Sequence, residues 1–241
     1  MTTGPGDFAP WLGVFETLRV IGGKPLFFPE HRAELARAMS ELGLKSDTAF
    51  ATEAAALPMK SGRWRWIVTA RGTQTLFTEE PIQSSEPVAL SVSPVRVGSQ
   101  NWDARFKTVS YLSHAQAAQT AVTPEVVLLN EHGHVASASR ANLFWRRGER
   151  IYTPAHEAGC RCGVVRGFIL KNSPVEVGHF LLNDLQEADE ILLTNSLRGI
   201  VSVHKFGERV FDAFPSADAL RDSYGHEVVI RFQNRLPVDH W

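Results

Sequence analysis

The pattern of hydrophobic and polar positions predicts a β-hairpin near the start of the chain. The stretch GVFETLRVIGGKPLFF (residues 13–28) has β-prone runs on both sides of Gly22 and Gly23. Two adjacent glycines accept the positive φ angles of a tight turn between antiparallel strands. The runs RWRWIVTAR, TQTLFT and VALSVSPVRV continue the β pattern further along the chain.

The stretch PEHRAELARAMSELGL predicts an amphipathic helix from Pro29 to about Gly43. Its apolar residues Leu35, Met39 and Leu42 recur at spacings of four and three, which places them on one helix face. Proline is accepted in the first turn of a helix, and glycine favours its end.

The sequence changes character after the polar, turn-rich stretch GSQNWDAR. TVSYLSHAQAAQTA predicts a helix of small residues. EVVLLN, HVAS, ANLFWRR, RIYTP, EILLTN and GIVSVH predict strands, GVVRGFIL a helix start, and SADALRDSYGHEVVIRFQNR a terminal helix.

Together these elements predict an α+β protein of two unequal parts. We expect a small N-terminal α/β domain over residues 1–95, with a second helical piece at roughly 47–56. An interdomain linker is expected over 96–103, followed by a larger, β-rich C-terminal domain over 104–241.

Composition and charge narrow the classes of partner. Hydrophobic residues make up 44% and charged residues 21% of the chain, and 25 Lys and Arg balance 26 Asp and Glu. This balance gives no electrostatic signal for nucleic acid or an anionic membrane. No apolar run approaches the ~20 residues of a membrane-spanning helix, and the N-terminus lacks the features of a secretory signal. We therefore expect a cytoplasmic protein.

The cysteines and two tryptophans have ordinary explanations that we prefer. Cys160 and Cys162 lie too close in sequence for a good disulfide, and two thiolates do not complete a zinc site. Trp64 and Trp66 could stack nucleic-acid bases between arginines, but their i, i+2 spacing is better explained by packing on one face of a strand.

Lys107, in RFKTVSYLSH, is the first candidate for chemistry. It follows the predicted linker and stands at the head of the predicted small-residue helix. The ordinary explanation is a solvated charge. The functional alternative is a desolvated amine that forms a Schiff base with a carbonyl compound.

Two further stretches could bind an anion or a polar ligand. EAGCRCGVVRG runs from a glycine loop into a helix, whose free N–H groups favour phosphate, although an ordinary loop–helix junction looks the same. LLTNSLRGI ends a buried strand with Thr194, Asn195 and Ser196, which suit either a ligand or a turn cap. The motifs GxGxxG, GxSxG, HExxH and CxxC are missing, and we predict no metal site.

Taken in order, these stretches resemble the fold-type IV, or class IV aminotransferase, family of pyridoxal-phosphate (PLP) enzymes. The resemblance runs from GVFETLRV through PEH, ARGT, LSVSPVRVG, FKTVSYL, EVVLLNEHGHV, ANLFWRRGERIYTP and CGVVRG to LLTNSLRGIVSV. SPVRVG, ANLFWRRG, IYTP and NSLRGIVSV look most similar to the 4-amino-4-deoxychorismate lyase branch. The resemblance implies the D-amino acid aminotransferase-like fold, PLP as cofactor, a small amino substrate, and a homodimer with its site between the two domains.

The resemblance also implies roles for particular residues. Lys107 matches the lysine that binds the cofactor as a Schiff base and moves the proton at the substrate Cα. Tyr111 falls where a side chain of the lysine segment packs near the cofactor. Phe15 matches an aromatic residue on the substrate side, which is commonly tyrosine in aminotransferases.

Four more residues match the family's phosphate site. Val164 and Val165, after Gly163, match the helix start whose backbone N–H groups hold the 5′-phosphate. Asn195 and Ser196 match the strand end that completes the phosphate site.

One departure from the family concerns that phosphate. Family members usually carry an arginine three residues after the histidine that is His31 here, but this chain has Glu34. A carboxylate beside a phosphate would repel it by about 1–4 kcal/mol per unit charge at ~4 Å. Either Glu34 pairs with Arg37 instead, or Arg161 or Arg198 supplies the missing positive charge.

The second departure is Ser137, where the family has a glutamate that keeps the pyridine nitrogen protonated. A serine hydroxyl can only hydrogen-bond a neutral nitrogen or bond elsewhere. This favours a lyase that releases pyruvate and 4-aminobenzoate over a class IV aminotransferase, the alternative. RGTQTLFT has no arginine past Arg71, which argues against D-amino acid transamination. A second alternative is a degenerate member with lost or altered PLP binding.

Overall fold

The computed structural model describes residues 12–44, 54 and 56–232. Helices and mainly antiparallel strands share the chain, so the α+β class is confirmed. No helix within these residues is long and apolar enough to cross a membrane.

The chain forms two compact units. Among the described residues, the first contains those up to Gln83 together with Phe106–Tyr111, and the second contains Ser84–Arg105 together with those from Leu112 onwards. The segment Phe106–Tyr111 therefore belongs to the first unit although it is far from the rest of that unit in sequence. Each unit has its own sheet and its own core.

The first unit is built on a four-stranded antiparallel sheet in the order β2-β1-β3-β4. One long helix, α1, contributes buried side chains to the same core as β1 and β3. The bounds are β1 Gly13–Ile21, β2 Lys24–Pro25, α1 Phe28–Glu41, β3 Gly62–Thr69 and β4 Gly72–Glu79.

The predicted hairpin and helix are both confirmed. Gly22 and Gly23 have φ angles of 54° and 79° in the turn between β1 and β2, and β2 is only two residues long. Leu35 on α1 and Leu42, the C-cap residue just after it, are buried as predicted, and Ala38 is buried more fully than Met39. The helical piece predicted at 47–56 lies almost wholly outside the described residues.

Aromatic packing dominates the core of the first unit. Trp64 and Trp66 are almost completely buried on one face of β3, with ring centroids 4.9 Å apart in an edge-to-face arrangement. The ring of Phe28 stacks on Trp64. Such pairs contribute about 0.5–1.5 kcal/mol beyond their buried area. The packing interpretation of the two tryptophans is confirmed.

The second unit is built on a nine-stranded sheet with the path β10-β9-β8-β11-β12-β5-β6-β7, and β13 pairs with β12. Most of its residues on β6, β7, β8 and β11 are buried. The strands are β5 Val88–Val97, β6 Glu125–Asn130, β7 Val135–Ala138, β8 Asn142–Arg147, β9 Arg150–Pro154, β10 Val175–Gly178, β11 Glu190–Asn195, β12 Gly199–Phe206 and β13 Arg209–Val210.

Helices connect these strands at several points. The terminal helix and the helix that follows CG were predicted, whereas α2, α5 and β10 were not. The helices are α2 Trp102–Arg105, α3 Leu112–Gln119, α4 Val164–Asn172, α5 Leu182–Gln186 and α6 Pro215–Phe232.

The compact units divide the chain earlier than the predicted domain boundary. β5 pairs in parallel with β6 and β12 and so belongs to the second unit, although it lies almost wholly within the predicted first domain. The stretch predicted as a linker, 96–103, contains the end of β5 and the start of α2. Long-range strand pairing, which no local pattern reveals, places β5 there.

Candidate functional site

The backbone of Lys107 is fixed to the first strand of the first unit. The N–H of Phe15 donates to the carbonyl oxygen of Lys107 at 2.8 Å, and the N–H of Val109 donates to that of Gly13 at 2.9 Å. The expectation that Lys107 stands at the head of a helix is wrong. Because this segment pairs with β1, it is extended, and α3 begins only at Leu112.

The side chain of Lys107 ends at a buried carboxylate. Its Nζ lies 3.3 Å from Oε2 of Glu16, and Nδ1 of His31 lies 2.7 Å from the same oxygen. The backbone N–H of Thr17 donates to that oxygen as well, at 3.3 Å. Glu16 and His31 are 7% and 1% exposed. Three donors therefore converge on one carboxylate oxygen inside the first unit.

These contacts keep Glu16 ionised. Burial on its own would raise the pKa of Glu16, but the charge of Lys107 and the hydrogen bond from His31 lower that pKa to about 2. An ionised carboxylate can only accept hydrogen bonds, so Nδ1 of His31 carries a proton in this contact. The arrangement is a buried anion with two basic side chains.

Phe15 and Tyr111 pack together in the same unit. Their rings meet edge to face with centroids 5.7 Å apart, and the guanidinium carbon of Arg65 lies 5.3 Å from the centre of the Phe15 ring. Phe15 thus lies on the face of β1 that carries neither Val14 nor Leu18, the core residues of that strand. The structure brings Phe15, Tyr111 and Lys107 together in the first unit.

In the second unit, Ser137 lies beside a neutral histidine. Its Oγ lies 3.4 Å from Nε2 of His114 and donates to the carbonyl oxygen of Ala138 at 3.0 Å. Both side chains are buried. Burial, and next the positive charge of Arg161, lower the pKa of His114 to about 2, so its ring is neutral near pH 7.

The start of α4 lacks a side-chain cap. Gly163 is its N-cap residue, and the N–H groups of Val164 and Val165 fall in the first turn, where a helix offers no acceptor of its own. Asn142 supports the loop by donating from Nδ2 to the carbonyl oxygen of Arg161 at 2.9 Å. A Cβ at Gly163 would collide with Oδ1 of Asn142, so the side chain of Asn142, which is bonded to Arg161, would have to shift.

At the end of β11, the side chain of Asn195 caps a turn, whereas that of Thr194 has no hydrogen-bond partner. Oδ1 of Asn195 accepts the N–H groups of Leu197 and Arg198 at 3.0 and 2.9 Å, which is the turn-cap alternative. Oγ1 of Thr194 is buried with no hydrogen-bond partner. Ser196 is half-buried in the same turn. This buried hydroxyl is therefore available to hydrogen-bond a bound group.

The family follows from one further observation. A model of the amino-transferase class IV family matches residues 13–206, which include Lys107, Ser137, α4 and the end of β11. The chain belongs to the class IV aminotransferase family. It is therefore an enzyme.

Three relatives of this class IV enzyme illustrate the range of the family. An aminodeoxychorismate lyase from Bacillus subtilis is 28% identical over 229 residues, which cover 82% of this chain and 78% of the relative. A putative branched-chain amino acid aminotransferase from Thermotoga maritima has a similar structure, with a TM-score of 0.82, 22% identity, and 95% of this chain and 91% of the other covered. An aminotransferase from Brucella abortus, solved with the cofactor PLP bound, has a TM-score of 0.77, 19% identity, and 95% and 92% covered. These structures confirm the expected class IV fold.

The first departure from the family has a local explanation. Glu34 pairs with Arg37, with Nη2 of the arginine 2.8 Å from Oε2 of the glutamate, which confirms that alternative. The guanidinium of Arg198 donates to the carbonyl oxygens of Ser84 and Glu86 at 2.7 and 2.9 Å. Arg198 therefore holds the start of the second unit.

The two cysteines do not form a disulfide. Cys160 is completely buried, and its burial raises the pKa of the thiol, so the sulfur stays protonated.

Sequence reasoning missed Glu16, His31 and His114 as members of the site. A signal for Glu16 exists in the pattern: it stands on the same face of β1 as the core residues Val14 and Leu18. A carboxylate at such a position needs a buried partner. No local pattern identifies Lys107 as that partner, because the two residues are 91 positions apart.

Proposed function

We propose that this class IV enzyme is a PLP-dependent lyase of the aminodeoxychorismate lyase type, which releases pyruvate and 4-aminobenzoate. The observation that carries the proposal is the environment of Lys107. Among the lysines of the described residues (Lys24, Lys60, Lys107, Lys171 and Lys205), Lys107 alone is not exposed. Its amine ends at Glu16 rather than in solvent.

Each unit, taken by itself, contains residues that suit a part of PLP. A half-buried lysine amine matches the cofactor's need for a covalent attachment point. The uncapped start of α4 and the unpartnered Oγ1 of Thr194 match its phosphate, which takes hydrogen bonds from several donors. Glu34 does not oppose this, because its carboxylate is paired with Arg37.

Each of these residues has a chemical task in the proposal. PLP supplies an aldehyde that condenses with amines and a ring that withdraws electrons from the bonds at the substrate α-carbon. Lys107 supplies the amine that binds the cofactor, and it then holds and moves the proton at that carbon. Phe15 and Tyr111 form an aromatic wall near the lysine, on the substrate and cofactor side.

The phosphate contacts follow from backbone geometry. We propose that the N–H groups of Val164 and Val165 bind the phosphate, helped by the partial positive charge at the start of α4. Ser196 adds a hydroxyl donor. Asn195 acts through Nδ2 or through the turn it caps, because its Oδ1 is occupied by backbone N–H groups.

The surroundings of Ser137 support the lyase over the aminotransferase. We propose that the hydroxyl of Ser137, which contacts the neutral ring of His114 and the carbonyl of Ala138, would hydrogen-bond the ring nitrogen of the cofactor. None of these groups holds that nitrogen protonated as a carboxylate does. A neutral ring withdraws electrons less strongly, which handicaps transamination more than a reaction that expels a leaving group. The B. subtilis lyase relative supports the same branch.

The proposal is tested by the products. The purified enzyme, supplied with PLP, is given 4-amino-4-deoxychorismate in one assay and an amino acid with a 2-oxo acid in another. Release of pyruvate and 4-aminobenzoate in equal amounts supports the lyase. Transfer of the amino group without that release establishes the aminotransferase instead, and neither product with no bound cofactor establishes the degenerate member. A homodimer and a cytoplasmic location stay predictions.

A further inference from the structure

Glu16 is the buried group whose purpose the proposed function leaves open. It stands on the core-facing side of β1, between Val14 and Leu18, where an apolar residue would pack well. A buried carboxylate costs several kcal/mol unless charges or hydrogen bonds compensate. Here donors from Thr17, His31 and Lys107 all reach the same oxygen, Oε2.

The lysine is held at both ends by two consecutive residues of β1. Phe15 donates its backbone N–H to the carbonyl oxygen of Lys107, and Glu16 accepts from Nζ. A lysine side chain is long and flexible, and fixing its amine in one place costs rotamer entropy. The carboxylate offsets that cost with a short contact between opposite charges away from water.

His31 fixes the carboxylate in turn. Its ring comes from the first turns of α1, it is 1% exposed, and its Nδ1–Oε2 distance of 2.7 Å is the shortest of the three contacts. Without this bond the carboxylate would be free to rotate about its χ angles away from the lysine. His31 thus acts on the amine through Glu16.

We infer that Glu16, held by His31, is a positioning residue that fixes the amine of Lys107 beside β1. The inference rests on the proposed function, in which Lys107 is the reacting lysine. When Lys107 becomes neutral, the negative charge of Glu16 remains beside His31, the second basic group on the same oxygen.

The test measures how fast each lysine is acetylated in the full-length protein freed of cofactor. A low concentration of acetic anhydride at pH 7 is followed by mass spectrometry of the peptides. In Glu16→Gln the amine of Lys107 loses its opposite charge, and we expect its acetylation rate to rise about tenfold or more relative to exposed Lys60. A general loosening of the fold would raise the rates at Lys24 and Lys60 as well, so the ratio reports the ion pair.

Glu34→Gln is the matched control. It removes a carboxylate from another ion pair, on the same helix as His31, which does not include Lys107. We expect the ratio of Lys107 to Lys60 acetylation to stay within about twofold of the parent, since the charges around the amine are unchanged.

Two variants of His31 keep the test independent of Glu16→Gln. His31→Asn retains an N–H donor near the position of Nδ1, and we expect acetylation of Lys107 close to that of the parent. His31→Leu removes the donor at similar volume, and we expect the rate at Lys107 to rise. If His31 served only in packing, Lys107 would be acetylated faster in His31→Asn than in His31→Leu, or equally fast in both.

The inference is overturned if Lys107 is acetylated in Glu16→Gln and in His31→Leu at the rate seen in the parent. Because this measurement uses protein without cofactor, it does not depend on PLP binding. A parent protein that carries no cofactor on Lys107 overturns the proposed function, whatever the acetylation rates are.

Discussion

The Nζ atom of Lys107 lies 3.3 Å from Oε2 of Glu16, 91 positions earlier in the chain. The pairing of the segment Phe106–Tyr111 with β1 makes this contact possible, because it places the lysine directly opposite the strand that carries the glutamate. The contact links the candidate reactive group to the core of the first unit. Its consequences can be measured in stability, in cofactor binding and in reaction specificity.

The pH dependence of the free energy of unfolding should reveal the lowered pKa of Glu16. The pKa of Glu16 is lowered to about 2 in the folded protein, whereas an unfolded glutamate titrates near ~4.3. A lowered pKa contributes stability that is complete above pH ~5 and is lost as the pH falls towards 2. The contribution amounts to about 3 kcal/mol, since each unit of pKa corresponds to ~1.4 kcal/mol.

The measurement is the free energy of unfolding in urea at several pH values between 7 and 2.5. We expect the parent to lose more stability over this range than Glu16→Gln does, by about 2 kcal/mol, because the glutamine does not titrate and pH 2.5 is still above the folded pKa of Glu16. Parallel curves for the two proteins would show that Glu16 has an ordinary pKa.

Cofactor affinity should depend on Gly163 and not on Gly167. In Gly163→Ala the new methyl group collides with Asn142 at the start of α4, and we expect the Kd for PLP to rise roughly 5-fold to 100-fold. Gly167→Ala is the control, since a Cβ there meets nothing within 4 Å and alanine favours the helix by about 1 kcal/mol. Fluorescence titration with PLP measures both variants. Equal affinities of the two variants for PLP would show that the start of α4 does not bind the phosphate.

Reaction specificity should depend on the charge at position 137. In Ser137→Glu a carboxylate replaces the hydroxyl beside His114. We expect the ratio of transaminase to lyase activity to rise by about tenfold, because a protonated ring is the stronger electron sink. Ser137→Gln is the control with the same size and no charge. The ratio of the two kcat/KM values is the quantity to compare. If this ratio is the same in the parent and in both variants, Ser137 does not act on the ring nitrogen of the cofactor.

The core of the first unit should depend on Trp66. Its side chain is completely buried, and Trp66→Ala should lower the free energy of unfolding by about 3–5 kcal/mol. Leu76, on β4, is 58% exposed, so Leu76→Ala should change that free energy by less than about 0.5 kcal/mol. Urea unfolding followed by tryptophan fluorescence and circular dichroism compares the two variants. Similar losses in both would contradict the packing described for β3.

Local patterns were sufficient where one element or one turn decides the structure. Gly22 and Gly23 marked the hairpin, and the spacing of Leu35 and Leu42 marked the buried face of α1. The alternation of RWRW placed both tryptophans in the core. In each case residues within a few positions of each other supply the interactions that fix the conformation.

Elements that depend on distant partners could not be predicted from the sequence. β10 and α5 are four and five residues long, too short for a periodic pattern to stand out. β5 reads as a strand, but its parallel partners β6 and β12 assign it to the second unit. The segment around Lys107 looked helical in isolation, and its pairing with Gly13 and Phe15 overrides that tendency.

The candidate site was predicted in the same uneven way. Family resemblance pointed to Lys107, Ser137 and the start of α4, each a single position in a recognisable stretch. It did not reveal Glu16, His31 or His114, because their importance lies in contacts made by folding. The replacement of glutamate by Ser137 became interpretable only with His114 beside it.

The central claim is that Lys107 carries the cofactor. The purified protein, incubated with PLP, is reduced with borohydride and digested, and the modified lysine is identified by mass spectrometry. We predict one pyridoxyl group per chain, on Lys107, and none above background in Lys107→Met. No stable modification, or modification spread over exposed lysines such as Lys60 and Lys171, would contradict the claim.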